Sequence, residues 1–489
     1  MERYEEAVRC LNSRRARAKS NLDDMRGSDD MVKWLKLLGH SVEDLNRLNA
    51  IHIAGTKGKG STCAFVASFL KEHRNNTGYP RKIGLYTSPH IGNIRERICI
   101  NNEPISQELF TFRFFEIWDK LPSEVTDTLD IPRYLQLLAL LSFHVFIKEG
   151  VDVAIYETHL GGEFDATNII SAPTVTAITS ISIDHRNLLG PTIEDIAWHK
   201  AGIFKPGSVA LSTLQEQAVA TVLQQRAAEK GVALKFIGLD SDIPASAVAL
   251  KPKVQRFNCS LALAVLRAWL SATLPLEQSC VDNDIVSGIE NFYWPGRYQQ
   301  INDQNYQWFL DGAHTESSLC YAVEWFAERA RELQDILPPT RILVFSHFSH
   351  RDGIALLRSI AKSLLDKDIQ VQHVIISSYD EMRDGPPRID RNLTKRFSQE
   401  KQESYAEFWR TFDPTATVSC ERTIEETLHR ARRIGDLSDG MQALVTGSLH
   451  LVSGLLYLLE TDHLISHPPM RAQTRLEQKK LDDIRAGCS

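Results

Sequence analysis

Short apolar, β-branched runs alternate with longer helical stretches along most of the chain. The first series comprises Leu48–Ile53, Ile83–Tyr86, Val151–Tyr156, Val175–Ile178 and Val209–Leu211. Runs this short and this continuously apolar predict buried strands of a parallel sheet, with helices between them covering both faces. Cys63-Ala64-Phe65-Val66-Ala67 reads as the first turns of a buried helix. Tyr134 to Ile147, interrupted by Gln136, Ser142 and His144, reads as a core helix too short to span a bilayer. A second series begins after Trp294-Pro295-Gly296-Arg297: strands at Trp308–Leu310, Ile342–Phe345, Val371–Ile376 and Ala443–Val445, with helices at Ser317–Leu333, Ile354–Leu365 and Ile424–Arg433. The rhythm predicts an α/β protein with a parallel-sheet domain over 1–294, a smaller Rossmann-like domain over 295–465 and a loosely held tail over 466–489.

Between the first strand and its helix lies Ala54-Gly55-Thr56-Lys57-Gly58-Lys59-Gly60-Ser61-Thr62. The glycines let the backbone turn sharply and aim amide N–H groups at an anion. Lys59 adds a mobile positive charge, and Ser61 or Thr62 offers a hydroxyl to a magnesium ion. Strand, glycine loop and helix are the context a phosphate-binding loop needs. Only Thr56 and Lys57 separate the first glycine from the Gly58-Lys59 pair, fewer than in a Walker loop. A glycine-rich turn between strand and helix is by itself commonplace. The lysine and hydroxyls at the helix start make nucleotide binding the better reading.

Composition changes this picture little. The 489 residues are 43% hydrophobic and 24% charged, which describes an ordinary globular chain of two or three domains. A formal charge of -6 and the lack of a dense Lys/Arg stripe give no reason to expect a nucleic-acid partner. Arg14, Arg15 and Arg17 cluster near the start, most simply as a solvated helix face. The polar run Glu2-Arg3-Tyr4-Glu5-Glu6 is no secretory segment. Eight scattered cysteines without a Cys-x-x-Cys pair predict a reducing compartment, the cytosol, and no structural zinc or disulfide framework.

Four further segments are small, polar and placed just after predicted strands, where open α/β sheets hold their ligands. They are Thr87–His90, Tyr156–Gly162, Ile183–His185 and Asp311–His314. A carboxylate after a strand is often only a helix cap, and a lone histidine is usually a satisfied core residue. Their repetition beside a phosphate loop is what carries weight.

Together these pieces resemble the folylpolyglutamate synthases of the Mur-ligase superfamily, in particular the fungal and other eukaryotic members. The resemblance rests on Gly55–Ser61, Tyr86–His90 with Arg95–Ile98, Gly161-Gly162 with Asp165–Asn168, Asp184-His185 with Leu189–Thr192, and Ile196–Lys205. It continues through Trp294–Arg297, Asp311–Thr315, Arg351-Asp352 and Thr446–His450, in order, from about Tyr4 to Glu460. It implies a Mur-ligase-like fold, with a P-loop ATPase-type sheet domain and a Rossmann-like second domain. It also implies ligase chemistry: ATP phosphorylates a carboxylate, and the amine of an amino acid attacks the acyl phosphate. Tetrahydrofolate and L-glutamate are the substrates it favours; the expected enzyme is a monomer with no nucleic-acid or membrane partner.

The same resemblance implies residue roles. Gly55, Thr56, Gly58, Lys59, Gly60, Ser61 and Thr62 would hold the ATP phosphates. Ser61 would meet a first magnesium, and Ser88, Glu157 and His185 a second. Lys200 matches a lysine that the family carbamylates; the plain alternative is a surface salt-bridge lysine. Gln255 and Asn258 correspond to adenine contacts, Arg297 and His314 to phosphate contacts, and Asp311 to a residue near the adenosine. The roles of Arg297, His314 and Asp311 would require the two domains to close.

Three segments depart from the family pattern. Pro252 and Val254 replace a glycine and a histidine beside Gln255 and Asn258, Leu135-Gln136-Leu137 replaces Phe-Arg-Phe, and Arg14–Arg17 replaces a Leu-Gln-Thr/Ser-Asn segment. These departures keep three alternatives in view: a diverged paralogue joining another acid and amine, a dihydrofolate synthase, and a nucleotide-binding scaffold without catalysis. Lys59, Glu157, His185, Lys200 and Asp311 together argue against the scaffold.

Overall fold

The computed structural model describes residues 2–15, 28–121, 131–244, 247–274, 282–303, 305–332, 340–349, 351–384, 388–391 and 398–466. The expected tail beyond Ser466, and Ala16 and Arg17, lie outside the described residues. The chain forms two compact units, Met1–Pro295 with Ile389–Asn392, and Gly296–Arg388 with Leu393–Ser489.

The first unit is built on an eight-stranded sheet of order β4-β3-β2-β5-β1-β6-β7-β8. Its strands are β1 Ile51–Ala54, β2 Ile83–Tyr86, β3 Ile98–Ile100, β4 Glu103–Pro104, β5 Val153–Glu157, β6 Val175–Ile178, β7 Val209–Thr213 and β8 Leu234–Ile237. The central strands are buried at every position, which is why their sequences show continuous apolar runs and no alternation. β5 runs one residue beyond its apolar stretch because the ladder is made by the backbone. Ile53 pairs with Glu157, carrying that carboxylate into the end of the sheet.

The hairpin β3–β4 was not foreseen. β3 runs antiparallel to β2, and Pro104, which cannot donate to a ladder, sits on the outermost strand. The helix after β1 spans Lys59–Thr77, four residues earlier than the apolar run from Cys63 suggests. Its first turn carries polar residues at the strand ends, so hydrophobic pattern cannot reveal it.

Two clusters pack the faces of this sheet. One gathers Phe110, Phe114 and the helix Tyr134–Glu149 over Tyr86 and Tyr156. The other gathers Phe65, Phe69, Leu263 and Trp269 over Ile51, Ile83 and Val153. A third covers β7 through the helices Ile193–Lys200 and Gln217–Glu229.

The second unit has a six-stranded sheet of order β13-β12-β11-β14-β10-β9. These are β9 Gln299–Asp303, β10 Tyr306–Leu310, β11 Thr340–Phe345, β12 His373–Ser377, β13 Thr417–Glu421 and β14 Met441–Thr446. All neighbours are parallel except β9 against β10. Its core joins Phe309, Phe326, Phe345, Leu357 and Trp409.

Candidate active site

The phosphate loop joins β1 to the helix Lys59–Thr77. Gly58 caps that helix at φ 88°, a left-handed conformation that glycine adopts without strain. The loop amides are not all free for an anion, as the sequence alone suggested. The N–H groups of Thr56 and Lys57 both donate to the Ser180 carbonyl, at 2.9 and 3.3 Å, tying the loop to the end of β6. The amides of the first helical turn, Lys59 to Ser61, have no acceptor within the helix and are the loop donors that suit an anion. A side chain at position 60 would meet Trp294 at 3.3 Å and Glu157 Oε2 at 3.4 Å, so the glycine keeps the space above the loop clear.

The Lys59 charge is partly enclosed and not freely mobile. The residue opens the helix with its side chain only 15% exposed, and its Nζ lies 3.8 Å from Glu157 Oε1. Glu157 is itself buried, and its Oε2 accepts from the Ser88 amide at 3.0 Å. The structure thus brings together the ends of β1, β2 and β5. Ser88 Oγ accepts from Arg97 Nη1 at 2.6 Å.

Lys200 ends the helix Ile193–Lys200, which starts in a capping box of Thr192 and Asp195. The surface alternative for this lysine does not hold: Lys200 is 4% exposed and makes no ion pair with a described residue. Its Nζ donates to the Gly55 carbonyl at 2.7 Å. Burial, reinforced by the nearby Lys59 charge, lowers its pKa to about 7. A neutral amine is thereby accessible near neutral pH. Gly162 is what lets the helix end approach, since a Cβ there would meet the carbonyls of His199 and Lys200 at 2.6 Å.

His185 caps the short helix Arg186–Leu189. It sits in left-handed backbone (φ 51°), half exposed, with Nε2 3.5 Å from Asp184 Oδ2. Among the described residues no group of three or more His, Cys, Asp and Glu side chains is arranged to hold a metal. The donors that suit a hard cation are oxygens at the loop: the Glu157 carboxylate, the Ser61 hydroxyl and Thr62 Oγ1, which is buried and has no hydrogen-bond partner among the described residues.

Gln255 and Asn258 lie on the helix Lys253–Thr273, capped by Pro252. Asn258 Nδ2 donates to Gln255 Oε1 at 2.9 Å, and its Oδ1 stands 2.3 Å from where a Cβ on Gly58 would be. This pair therefore backs the phosphate loop. The Gln136 departure also has a local reason, because its Oε1 accepts from the Arg133 amide and closes the N-terminus of the helix Tyr134–Glu149. Arg14 and Arg15 are not a solvated face: their guanidinium carbons lie 4.6 Å over Trp118 and 4.5 Å over Tyr134.

In the second unit Asp311 follows β10 and is buried. Its Oδ2 accepts from the Tyr298 amide at 2.9 Å and its Oδ1 from the Ala313 amide at 2.8 Å. Burial nevertheless raises its pKa, against the lowering pull of Arg297. Arg297 Nη1 donates to the Gly296 carbonyl at 3.2 Å, and His314 Nδ1 lies 2.9 Å from the Gly312 carbonyl.

Two parallel-rich sheets, with a glycine loop at the end of a central strand of the first, define a two-domain α/β protein of Mur-ligase-like architecture. Solved structures agree on that fold. The Thermotoga maritima folylpolyglutamate synthase matches with a TM-score of 0.72 at 23% identity, over 94% of this chain and 97% of that one. The apo form of L. casei FPGS matches with a TM-score of 0.69 at 23% identity, over 93% and 99%. Sequence comparison gives the family. The chain is 39% identical to the folylpolyglutamate synthase of Neurospora crassa, over 94% of its own length and 91% of that protein. It is 37% identical to a probable folylpolyglutamate synthase of Schizosaccharomyces pombe, over 94% of both. Residues 296–458 match a family model described as dihydrofolate synthetase, C-terminal domain. The chain belongs to the folylpolyglutamate synthase family.

Arg97 is the residue that motif reading undervalued. It was legible only as part of Arg95-Glu96-Arg97, and no spacing rule says which of the two arginines is buried.

Proposed function

We propose that the chain is an ATP-dependent ligase that adds L-glutamate to a reduced folate or folylpolyglutamate through an acyl phosphate. The observation that carries this reading is the buried cluster at the strand ends: Lys59 and Lys200 beside the phosphate loop, with Glu157 as the single carboxylate paired to Lys59. A triphosphate and a carboxylate repel one another, and the Lys59 ammonium with the free amides of the first helical turn opposes that repulsion where negative charge develops. The names of the relatives supply the substrates: they are folylpolyglutamate synthases, and one similar solved structure is an FPGS-AMPPCP-folate complex.

In this reading Lys59 and the amides of residues 59–61 hold the β- and γ-phosphates, with Gly55, Thr56 and Gly58 shaping the loop. Gln255 and Asn258 support the nucleotide side. Ser61, Thr62 and Glu157 fit a magnesium ion; Ser88, whose hydroxyl oxygen keeps a second lone pair beside the Arg97 hydrogen bond, and His185, once turned from Asp184, would complete the expected set. Magnesium, when bound, neutralises phosphate charge. Lys200, with its lowered pKa, is suited to react with carbon dioxide as a free amine and to become an anion. Arg297, His314 and Asp311 serve the nucleotide from the second unit. The enzyme works as a monomer in the cytosol. The described cysteines are free thiols, and no described helix is long and apolar enough to cross a membrane.

A second reading, dihydrofolate synthesis, is favoured by the family model matched over residues 296–458. It uses the same chemistry on dihydropteroate. The test is to incubate the protein with ATP, magnesium and L-glutamate, offering tetrahydrofolate, dihydropteroate or a non-pterin acid, and to read ADP and product mass. Glutamate gain on tetrahydrofolate supports the first reading and gain on dihydropteroate the second. Gain only on the non-pterin acid makes the chain a diverged paralogue.

A further inference from the structure

Arg97 is among the most deeply buried large side chains of the molecule, 2% exposed, at the end of the short helical turn Ile94–Arg97 that leads into β3. A guanidinium does not deprotonate in a protein, so this site carries a full positive charge out of water. Its described partners are all neutral. Nε donates to His90 Nδ1 at 2.8 Å, Nη1 donates to Ser88 Oγ at 2.6 Å, and the group lies 5.8 Å from the centre of the Tyr134 ring. Among the described residues no carboxylate pairs with it. Buried charge without a counter-ion is costly, and a protein that keeps one is set up to receive it from elsewhere.

The group is also held in one place. His90 Nε2 lies 2.8 Å from the carbonyl of Asp390, in the segment Ile389–Asn392 of the same unit. That contact places the His90 proton on Nε2 and leaves Nδ1 to accept from Arg97. The Arg97 carbonyl accepts from the Thr87 amide at 3.1 Å, locking the turn to the end of β2. The other Nη1 proton and both Nη2 protons have no acceptor among the described residues. A fixed planar fork with paired donors to spare matches a carboxylate in two-point geometry.

The sheet order separates this charge from the phosphate loop. β3 is three strands from β1, with β2 and β5 between them, so the Arg97 backbone stands roughly 14 Å along the sheet from the helix start. Lys59 and the helix amides serve the phosphates at one end, while Arg97 lies on the far side of Glu157. We propose that Arg97 receives the carboxylate of the acid that is to be activated, with Ser88 and His90 holding the guanidinium in position. The proposal rests on the ligase reading above and adds the group that orients the reacting carboxylate.

The test compares wild type, Arg97→Lys, Arg97→Gln and Arg97→Ala, with tetrahydrofolate as the probe acid. Arg97→Gln is expected to raise the KM for tetrahydrofolate by about 10- to 100-fold, as for a lost charged hydrogen bond, with the KM for ATP unchanged. Arg97→Lys, which keeps charge without the fork, should recover only part of the loss. Added guanidinium ion should restore turnover to Arg97→Ala. Unchanged KM and kcat in Arg97→Gln would overturn the proposal. So would an equal rise of both KM values with a lowered Tm and no rescue, the mark of a merely structural role. Calorimetric binding of tetrahydrofolate to wild type and Arg97→Gln separates this from the ligase reading. Binding weakened by the substitution in a protein that forms no product sustains Arg97 and refutes the ligase. Equal binding in an active enzyme does the reverse, and no binding to either protein refutes both.

Discussion

The two units end their parallel strands in the same kind of polar loop and charge them oppositely. In the first, Lys59, Arg97 and Lys200 are buried or nearly so, and Glu157 is the carboxylate set among them. In the second, the strand-end group is Asp311, whose two oxygens are taken by backbone amides. A sheet edge therefore does not dictate the sign of a site. It supplies converging strand ends, and the few residues that follow each strand set the charge. The first unit compensates its cations only in part, with Glu157 near Lys59 and a backbone carbonyl on Lys200; the second has both Asp311 oxygens bonded to backbone amides.

The largest effect should come from removing the cation nearest the phosphates. Lys59→Ala is expected to lower turnover by about 1,000-fold, or ~4 kcal/mol, as for loss of a pre-placed transition-state charge. ADP release with tetrahydrofolate and glutamate measures it, and near-wild-type release would break the contrast drawn here. Lys200 sharpens it from the side of stability. Its folded pKa near 7 lies below the unfolded value of 10.5, so between those values the unfolded chain holds the extra proton. Wild-type stability should rise with pH across that window. In bicarbonate-free buffer at pH 7, Lys200→Met is expected to be inactive yet more stable by roughly 3 kcal/mol. That figure is the ~1.4 kcal/mol per pKa unit less the hydrogen bond to Gly55. The advantage should fade toward pH 10, and urea melts at both pH values decide it.

In the second unit the expected sign is reversed. Asp311→Ala strands the amides of Tyr298 and Ala313 and should cost about 2 kcal/mol. Hydrogen exchange should accelerate at those two amides, and exchange as slow as in wild type would show that the carboxylate is not what holds the loop.

The smallest effect concerns the buried pair His40 and His144, whose ring nitrogens lie 2.8 Å apart. Burial lowers both pKa values; for His40 the second cause is His144, with Lys148 and Lys120 adding to it and Asp44 opposing. For His144 the Glu116 contact opposes burial, and Arg113 and Lys148 reinforce it. The pair contributes fully above pH 6.5, and that contribution is lost as pH falls below it. His40→Asn should flatten the fall in Tm between pH 7 and 5. A Tm that falls equally in both proteins would assign the acid sensitivity elsewhere.

Much of the fold could be read from one chain because the central strands are buried on both faces. Ile83–Tyr86 and Val175–Ile178 stand out as apolar runs for that reason and coincide with β2 and β6. Edge elements do not: β3 has three residues and β4 two, both pair antiparallel, and neither is long enough to stand out as a strand run. The site divides in the same way. Gly55 to Thr62 is contiguous and visible as a motif, whereas the backing of that loop by Asn258 and Ser180 joins residues far apart in sequence.

By itself the sequence determined the two α/β series, the phosphate loop and the ordered motifs of the family, because local geometry and burial on both faces write themselves into neighbouring residues. Tertiary structure alone decided which charges are buried. For Lys200 the surface alternative stays open in the sequence until the Gly162 loop encloses the side chain. Arg95 and Arg97 are two residues apart with the same side chain, yet only Arg97 is enclosed by His90, Ser88 and Tyr134. Desolvation depends on everything that surrounds a group, and those surroundings are assembled from distant parts of the chain.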